Sequence, residues 1–455
     1  MTNIVNQTLI LGGGFTGLFT ALYLSNQHYP RSVILIDREE RFSFKPLLYE
    51  YCTGEMSAEE VCPSYEELLK DSGVVFIQDS VESIDIQQKE VKLTSGSYKY
   101  SNLVLGLGSI TSYAGVEGAK EYSLPLRTAT EVQAIERQLH DRLQQARQTR
   151  DTEQRHQLLT FVVVGGGPSG VEMTCTLADL LPHWYEALGG NSHEIRVVLL
   201  NHGEQILEGD VNVNLRGTAL QAMLKRAVPV ELLFGAKVSA VRADAVEYTR
   251  NEKSEIILAS TVIWTAGTTI NPLIKDLPVP KEHRDHHGRL QVTPTLQLLD
   301  YPEVFAAGDC AVQQGGESLP ATAQVAYQQA AAIAHNLKSL ILGHQLKPSE
   351  VHLRGTLMKL GIEESVANIF DRYQVLGRNG HLIRQATYLE MLPSLPHDFK
   401  VTKEWLKDEV FDRYLNSEEG KQTVRTTTEV VGGVVIGALI ARKLLQNKGI
   451  DTHSG

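Results

Sequence analysis

Cysteine is scarce in this 455-residue chain, and its placement excludes several kinds of chemistry. The four cysteines, Cys52, Cys62, Cys175 and Cys310, form no CxxC or CxxxxC pair. A disulfide framework is therefore not expected, and a reducing compartment fits this composition. No metal site is expected either: the three histidines of Lys281–Arg289 match no standard ligand spacing, and we interpret that segment as an exposed turn.

Long apolar runs and basic tracts are also missing. The longest apolar stretch, Val430–Ala441, has 12 residues, whereas a helix that spans a bilayer needs about 20. The net charge is −11 without a long Lys/Arg tract, which argues against nucleic acid as a partner. No signal peptide is visible. With 42% hydrophobic and 21% charged residues, the chain has the composition of a globular protein of two or three domains.

A first glycine loop lies close to the N-terminus. A short apolar strand precedes Gly12-x-Gly14-x-x-Gly17, and an amphipathic helix is predicted to follow. We expect Gly12 to allow a tight turn, Gly14 to let the backbone approach a pyrophosphate, and Gly17 to let the helix pack against the strand. A second apolar strand ends at Asp37, where a carboxylate can bind both hydroxyls of an adenosine ribose. The pattern predicts a dinucleotide site.

A second loop of the same kind, Gly165-x-Gly167-x-x-Gly170, again follows an apolar strand and opens a helix. Two such loops predict two dinucleotides, of which a flavin and a nicotinamide are the natural pair because a hydride can pass between them. The next strand ends at Asn201, where NAD-specific proteins carry an acid. A neutral amide does not repel a 2′-phosphate and does not clamp one, so NADH and NADPH both remain open.

Three further strands are predicted to end in turns of small residues that let the chain approach a bound nucleotide. The first two place Gly108 and Gly267 in such turns. The third, Val304–Asp309, ends in Gly-Asp, and a carboxylate at that place can accept hydrogen bonds from ribityl and phosphate groups. We therefore assign Asp309 to the flavin site.

Segments outside the glycine loops carry a resemblance to a family. Arg41–Glu50, with the sequence RFSFKPLLYE, and Ala323–Gln329, with the sequence AQVAYQQ, resemble two motifs of the type II NAD(P)H:quinone dehydrogenases. The resemblance covers about residues 5–345 and is nearest to the cyanobacterial and plastid branch. It implies non-covalent FAD, NADH or NADPH as the hydride donor, a lipid quinone as the acceptor, and no proton pumping. It also implies that Lys45, Pro46, Val81 and Ala323 contribute to the cofactor site.

Three candidate catalytic residues follow from the same resemblance. Glu172 matches the Glu of the family's Gly-Val-Glu and is expected near the nicotinamide and the flavin ring. Gln324 and Gln328 lie one helical turn apart and could present amides to a quinone carbonyl, although a solvated helix face is an alternative. The sequence departs from the family at Thr176, where most members carry a second Glu. This departure puts proton delivery by that acid in doubt.

The expected fold class is α/β, with two Rossmann-like domains as in glutathione reductase and a mainly helical C-terminal region. The FAD-binding domain is split into residues 1–125 and 291–345, the NAD(P)H-binding domain comprises 126–290, and 346–455 form the membrane-associating region. Within the second domain, Glu131–Leu158 is predicted as a surface helix, and Pro182–His193 as an inserted loop.

The resemblance implies a peripheral membrane protein on the cytoplasmic face and is compatible with a homodimer. Three C-terminal segments are candidates for membrane-facing helices: Leu353–Gly361, Asp398–Leu415 and Val430–Ala441. Packing of the last segment on the protein's own core is the alternative. Two other functions stay open, namely a reductase of a small redox protein and a flavin-bound sensor with little turnover.

Overall fold

The computed structural model describes residues 6–209, 213–315, 319–369 and 373–393. The candidate segments 398–415 and 430–441 lie outside the described residues. Within the described ranges, no helix is both long and apolar enough to cross a membrane.

The first part of the chain alternates strands with helices and then forms a small antiparallel sheet. Its elements are β1 (Gln7–Leu11), α1 (Phe15–Asn26), β2 (Ser32–Asp37), α2 (Leu48–Thr53), α3 (Ala58–Val61), α4 (Tyr65–Leu68), β3 (Val75–Gln78), β4 (Val81–Asp85), β5 (Glu90–Leu93), β6 (Gly96–Lys99), β7 (Asn102–Leu105), β8 (Ser109–Thr111), α5 (Ala119–Tyr122) and β9 (Leu124–Pro125).

The middle part repeats this alternation. Its elements are α6 (Ala129–Gln148), α7 (Thr152–Leu158), β10 (Thr160–Val164), α8 (Pro168–Ala187), β11 (Arg196–Leu200), α9 (Val213–Leu224), β12 (Glu231–Leu233), β13 (Lys237–Val241), β14 (Ala245–Arg250), β15 (Lys253–Leu258), β16 (Thr261–Trp264), β17 (Thr268–Ile270), α10 (Pro272–Lys275) and β18 (Leu290–Val292). The predicted surface helix is present as α6 and α7.

The last described part returns to the first sheet and then builds a hairpin-based unit. Its elements are β19 (Val304–Ala306), β20 (Ala311–Gln313), α11 (Ala323–Leu342), β21 (Gly355–Gly361), β22 (Glu364–Ile369), β23 (Tyr373–Val375) and α12 (Gly377–Glu390).

Two parallel five-stranded sheets organise the molecule. The first has the order β19-β7-β1-β2-β3, so a strand from beyond residue 300 pairs with β7, and the second has the order β12-β11-β10-β16-β9. Strands β7 and β10 are buried along their whole length and mostly apolar, as expected for parallel strands covered on both faces. In such sheets ligands bind outside the carboxyl ends of the strands, which is where both glycine loops lie. The two-dinucleotide-domain α/β fold class is confirmed.

Two local predictions were wrong. The segment 353–361, predicted as a helix, contains the strand β21, which pairs with β22 across a turn where Glu363 has a φ of +56°. The predicted loop at Pro182–His193 starts later, because α8 continues through Pro182 to Ala187. Proline has no N–H to give to the carbonyl of Ala178, and the backbone N–H of Val228 donates to that carbonyl instead, at 3.1 Å.

Candidate functional site

A cavity of about 2750 Å³ opens at the carboxyl ends of the first sheet. Single small ligands occupy roughly 300–1,000 Å³, so this cavity has room for a dinucleotide and a second ligand. Twelve of the predicted site residues line it: Gly12, Gly14, Asp37, Lys45, Pro46, Val81, Gly108, Glu172, Asp309, Ala323, Gln324 and Gln328. The other six predicted residues are not part of its lining: Gly17, which packs beneath the first loop, and Gly165, Gly167, Gly170, Asn201 and Gly267, which lie at the second loop and its neighbouring turn.

The first glycine loop has the geometry that its sequence predicts. Gly12 has a φ of +92°, and a Cβ there would lie 2.6 Å from the carbonyl oxygen of Gly106. A Cβ on Gly17 would lie 1.8 Å from the carbonyl oxygen of Gly12, so only glycine allows α1 to start this close to β1. Nothing lies within 4 Å of a Cβ built on Gly14. The open space at Gly14 faces the cavity and fits an approaching pyrophosphate.

Asp37 is fixed at the end of β2 beside this loop. Its two carboxylate oxygens accept hydrogen bonds from the backbone N–H groups of Gly13, at 2.5 Å, and Glu39, at 2.8 Å. The hydroxyl of Tyr65 donates to the carbonyl of Gly13 at 2.9 Å and holds the loop from the other side. No sequence motif pointed to Tyr65. The carboxylate oxygens retain lone pairs for ribose hydroxyls.

The second glycine loop repeats this arrangement with an amide in place of the acid. Gly165 has a φ of +111°, and a Cβ on Gly170 would lie 1.8 Å from the carbonyl oxygen of Gly165. Space around Gly167 is open. The backbone N–H of Gly166 donates to the side-chain oxygen of Asn201 at 3.0 Å. Asn201 thus occupies the position that Asp37 has in the first unit.

The loop after β11 is tied down by its own side chains. The Asn201 amide nitrogen donates to the carbonyls of Gly203, at 3.0 Å, and Gln205, at 2.8 Å. Arg216 donates to the carbonyl of Ile206 at 2.9 Å and to the side-chain oxygen of Gln205 at 2.6 Å. The guanidinium of Arg216 is therefore engaged in holding the loop.

A polar cluster surrounds Asp309 at the cavity. The hydroxyl of Ser109 donates to the Asp309 carboxylate at 2.7 Å, and Arg127 donates to the carbonyl and hydroxyl oxygens of Ser109 at 2.6 and 3.0 Å. Lys45 faces the same space, and its pKa is lowered to about 8 by burial and by the nearby charge of Arg127. Two cations near one carboxylate suit an anionic cofactor. Arg127 was missed by sequence reasoning because it belongs to no motif.

Glu172 projects from the first turns of α8 into the cavity wall. Its Oε1 accepts a hydrogen bond from the backbone N–H of Lys359 at 2.8 Å, and the hydroxyl of Tyr49 is a second partner. Burial raises the pKa of Glu172 to about 7, against the opposing effect of the Arg384 charge. A carboxyl with this pKa can hold and release a proton near neutral pH. One turn further along α8, the hydroxyl of Thr176 is buried without a hydrogen-bond partner in the described part of the chain.

Behind Glu172 lies a buried ion cluster, which we define as Glu50, Glu55, Lys359 and Arg384. Arg384 of α12 pairs with Glu50 of α2, and Lys359 of β21 pairs with Glu55 and lies 3.4 Å from the Glu50 carboxylate. The side chains of Glu50, Lys359 and Arg384 are fully buried. Charges at such depth must be paired, so the cluster fixes the C-terminal unit against the first domain.

The amides of Gln324 and Gln328 bind the backbone that leads into β21. Gln324 accepts from the N–H of Arg354 and donates to the carbonyl of Gly355, both at 3.1 Å. Gln328 accepts from the N–H of His352 at 2.9 Å and donates to its carbonyl at 3.1 Å. The alternative of a solvated helix face does not describe these side chains, and their amides are engaged by the chain itself.

The third glutamine of that motif has its own function. Gln329 is buried, and its side-chain oxygen accepts a hydrogen bond from the backbone N–H of Gly308 at 2.9 Å. It therefore holds the turn that presents Asp309. Gln329 was not among the predicted site residues, because the prediction rested on the helix face that Gln324 and Gln328 share.

All four cysteines are free and buried. Burial raises the pKa of Cys52 to about 12 and that of Cys62 to about 11, so both are thiols at neutral pH. Neither has the character of a reactive redox cysteine. Across the described ranges, no group of three or more His, Cys, Asp or Glu side chains could hold a metal ion.

Residues 6–330 match the family model described as pyridine nucleotide-disulphide oxidoreductase. The chain belongs to this family.

Individual relatives show which group within this family the chain is similar to. The chain is 33% identical to demethylphylloquinone reductase NdbB of Synechocystis, over 89% of this chain and 97% of the relative. It is 30% identical to the alternative NAD(P)H-ubiquinone oxidoreductase C1 of Arabidopsis thaliana, over 89% of this chain and 81% of the relative. The NDH2 structure from Plasmodium falciparum has a TM-score of 0.79 at 19% identity, covering 90% of this chain and 99% of that one, which shows a shared fold. The similarity to type II NAD(P)H:quinone dehydrogenases is confirmed.

Proposed function

We propose that this protein is an FAD-dependent NAD(P)H:quinone oxidoreductase that does not pump protons. One observation carries the proposal: a single cavity is lined both by an acid suited to bind a ribose and by a protonatable carboxyl. Asp37 beside the first glycine loop is the ribose acid, and Glu172 is the carboxyl. The relatives named as a demethylphylloquinone reductase, an NAD(P)H-ubiquinone oxidoreductase and a type II NADH:quinone oxidoreductase support this proposal.

The described residues fit an FAD molecule. The open space at Gly14 would accommodate the pyrophosphate, Asp37 would bind the ribose, and Asp309, Lys45 and Arg127, which line the same cavity, would supply further polar contacts. A bound FAD would supply the relay of two electrons between a nicotinamide and a quinone. The protein contributes position and charge, and it excludes competing reactions.

The second glycine loop binds the nicotinamide nucleotide in this proposal. Gly167 offers open space for a pyrophosphate at the N-terminus of α8, as Gly14 does in the first unit. The same helix carries Glu172 in its first turns, so nucleotide binding and the protonatable carboxyl share one rigid element.

Glu172 is proposed to give a proton to the quinone. Reduction of a quinone to a quinol takes up two electrons and two protons. A hydride from NAD(P)H accounts for both electrons and one proton, and the second proton must come from the protein or the solvent. A carboxyl with a pKa of about 7 at the cavity wall can donate that proton and regain it from water.

Membrane association and the quinone type belong to the proposal as well. We place the protein on a membrane surface through its C-terminal segments, on the cytoplasmic face, where a lipid quinone is accessible. The relatives are named as reductases of demethylphylloquinone and of ubiquinone, so a naphthoquinone and a benzoquinone are both candidate acceptors.

Anaerobic reduction tests the proposal. The purified protein, loaded with FAD, is mixed with NADH or NADPH, and the visible flavin absorption is followed before and after a soluble naphthoquinone is added. We expect rapid bleaching and rapid recovery with the quinone. Absence of bleaching with both nucleotides would leave a binding or sensing function. Bleaching followed by recovery only with a small redox protein would instead favour a reductase of such a partner.

A further inference from the structure

We infer that Glu50 is a positioning residue for the quinone half-reaction: it pairs with Arg384 and offsets most of that charge, so that Glu172 is able to carry the proton that the quinone takes up. This inference rests on the proposed function. It concerns a residue that never reaches the cavity, since Glu50 is fully buried and acts through Arg384.

The geometry of the pair supports this assignment. One guanidinium nitrogen of Arg384 binds Glu50 Oε1, and the other donates to the carbonyl of Pro46 and lies 3.5 Å from Glu50 Oε2. Both Glu50 oxygens therefore face the guanidinium. The remaining face of the Arg384 side chain lies over the ring of Tyr388, 5.0 Å from its centroid. The strongest contacts of the cation are directed at Glu50.

The charges of the ion cluster balance. Arg384 and Lys359 are the two cations, and Glu50 and Glu55 are the two anions that pair with them. Lys359 contacts Glu172 through its backbone N–H, at 2.8 Å. The ammonium group of Lys359 points to Glu50 and Glu55 instead. Glu172 is thus the carboxyl beside a neutral cluster.

Other titratable groups around Glu172 come from three elements. The tyrosine hydroxyls are those of Tyr49 on α2 and Tyr388 on α12, the thiol is that of Cys175 on α8, and His381 faces the Glu50 side of the cluster. Burial raises the pKa of both tyrosines and of the Cys175 thiol, and burial with the charge of Lys359 lowers the pKa of His381 to about 4. All four are therefore uncharged near neutral pH, and the ion cluster is the source of charge that can bias Glu172.

Quinone reduction in this proposal requires that Glu172 be protonated near neutral pH. The overall reaction is NAD(P)H + H⁺ + quinone → NAD(P)⁺ + quinol, and in our proposal the proton on the left passes from the Glu172 carboxyl to a quinone oxygen. The carboxylate that remains regains a proton from water. If the guanidinium of Arg384 were not neutralised, it would stabilise the carboxylate of Glu172, which would then stay deprotonated at neutral pH. Thr176, at the place of the family's second acid, offers no carboxyl to compensate.

The test measures the pH dependence of flavin reoxidation by quinone in FAD-loaded variants. In Glu50→Gln, the charge of Arg384 is no longer neutralised and stabilises the Glu172 carboxylate. We therefore expect the pH midpoint of the reaction to move down by about one unit or more. In Arg384→Met, the charge of Glu50 faces Glu172, and the midpoint should move up. In the double variant E50Q/R384M both charges are absent, and the midpoint should return to within about 0.3 units of wild type. A pair replaced by neutral residues is often tolerated in stability, so the double variant also guards against misfolding of the single ones.

Glu364→Gln serves as the matched control. Glu364 of β22 pairs with Arg226, which is not a member of the ion cluster, so its replacement removes one negative charge, as E50Q does, and leaves Arg384 and Lys359 with their partners. Its midpoint should equal that of wild type. Equal midpoints in wild type, E50Q and R384M would overturn the inference, and so would a double variant that keeps the shift of either single one.

A second readout does not depend on turnover. The carbonyl stretch of protonated Glu172, assigned by its absence in Glu172→Gln, is titrated by infrared difference spectroscopy. It should follow the same shifts in E50Q and R384M. If the infrared titration shifts but Glu172→Gln reduces quinone like wild type at every pH, the electrostatic inference stands and the proton-donor part of the proposed function fails.

Discussion

The backbone N–H of Gly166 donates a hydrogen bond of 3.0 Å to the side chain of Asn201, as the N–H of Gly13 does at 2.5 Å to Asp37. The two dinucleotide units are therefore built alike, and they differ in the charge of one side chain. A carboxylate binds two ribose hydroxyls and repels a 2′-phosphate, whereas an amide does not repel it. We therefore expect the identity of residue 201 to affect which nicotinamide nucleotide reacts.

Asn201→Asp should lower activity with NADPH and preserve it with NADH. The new carboxylate keeps the bond from Gly166 but adds a negative charge where a 2′-phosphate would lie, at a cost of about 1.4 kcal/mol or more, equal to a tenfold change. The ratio of kcat/KM for NADH to that for NADPH should rise about tenfold. Asn201→Gln, which keeps the charge neutral, is the control. An unchanged ratio in Asn201→Asp would mean that the 2′ position lies elsewhere.

Gly17→Ala and Gly14→Ala should separate folding from cofactor binding. A Cβ at position 17 would lie 1.8 Å from the Gly12 carbonyl oxygen, so α1 cannot pack against β1, and we expect little folded protein. A Cβ at position 14 meets open space, so that variant should unfold within about 0.5 kcal/mol of wild type in the absence of FAD. It should nevertheless bind FAD more weakly, because the methyl group enters the pyrophosphate space. Thermal unfolding of the FAD-free proteins and titration with FAD measure the two effects.

Local sequence was enough to predict the glycine loops, because the spacing of the glycines is itself the signal and because Gly17 and Gly170 are each required by the carbonyl of a nearby glycine, Gly12 and Gly165. The long-range partners were not predictable in this way. Glu50 and Arg384 are 334 residues apart, and nothing in either segment names the other. The strand β21 was not predicted because the buried Lys359 interrupts the alternation of polar and apolar side chains. A lysine can be buried at this position only because Glu50 of α2 and Glu55 in the following turn neutralise its charge.

Gln328→Ala should loosen the segment before β21. The variant loses a pair of hydrogen bonds to the His352 backbone, and an unsatisfied backbone group costs about 1–3 kcal/mol. We expect the free energy of unfolding to fall by about that amount in urea titrations and limited proteolysis to cut near residue 352 first. Gln314→Ala removes an exposed glutamine and should change stability by less than about 0.5 kcal/mol. If Gln328→Ala leaves stability and proteolysis unchanged but raises KM for quinone, the amide contacts the substrate and not the chain.

Glu172→Gln should remove a pH dependence. In wild type the carboxyl is protonated below its pKa of about 7, so flavin reoxidation by quinone should be fast at pH 6 and slow as the pH rises through 7. The glutamine variant cannot donate a proton and should be slower, by about 10²-fold or more, and flat across this range. Reduction of the flavin by NADH should change far less in the same variant. A wild-type rate that rises through pH 7 would show that the carboxylate, and not the acid, is the active form.

Charges placed in the apolar C-terminal segment should weaken membrane binding. Residues 430–441 are followed by Arg442 and Lys443, so a shallow insertion would bury the apolar side chains and leave the cations at the headgroups. The double substitution V435D/I436D should therefore reduce co-sedimentation with vesicles of anionic phospholipid by about tenfold, since each buried aspartate costs more than 1 kcal/mol. Its activity with a water-soluble quinone should match wild type, and only reduction of a vesicle-bound quinone should fall. If both activities fall together, the segment packs on the protein's own core and its loss damages the fold.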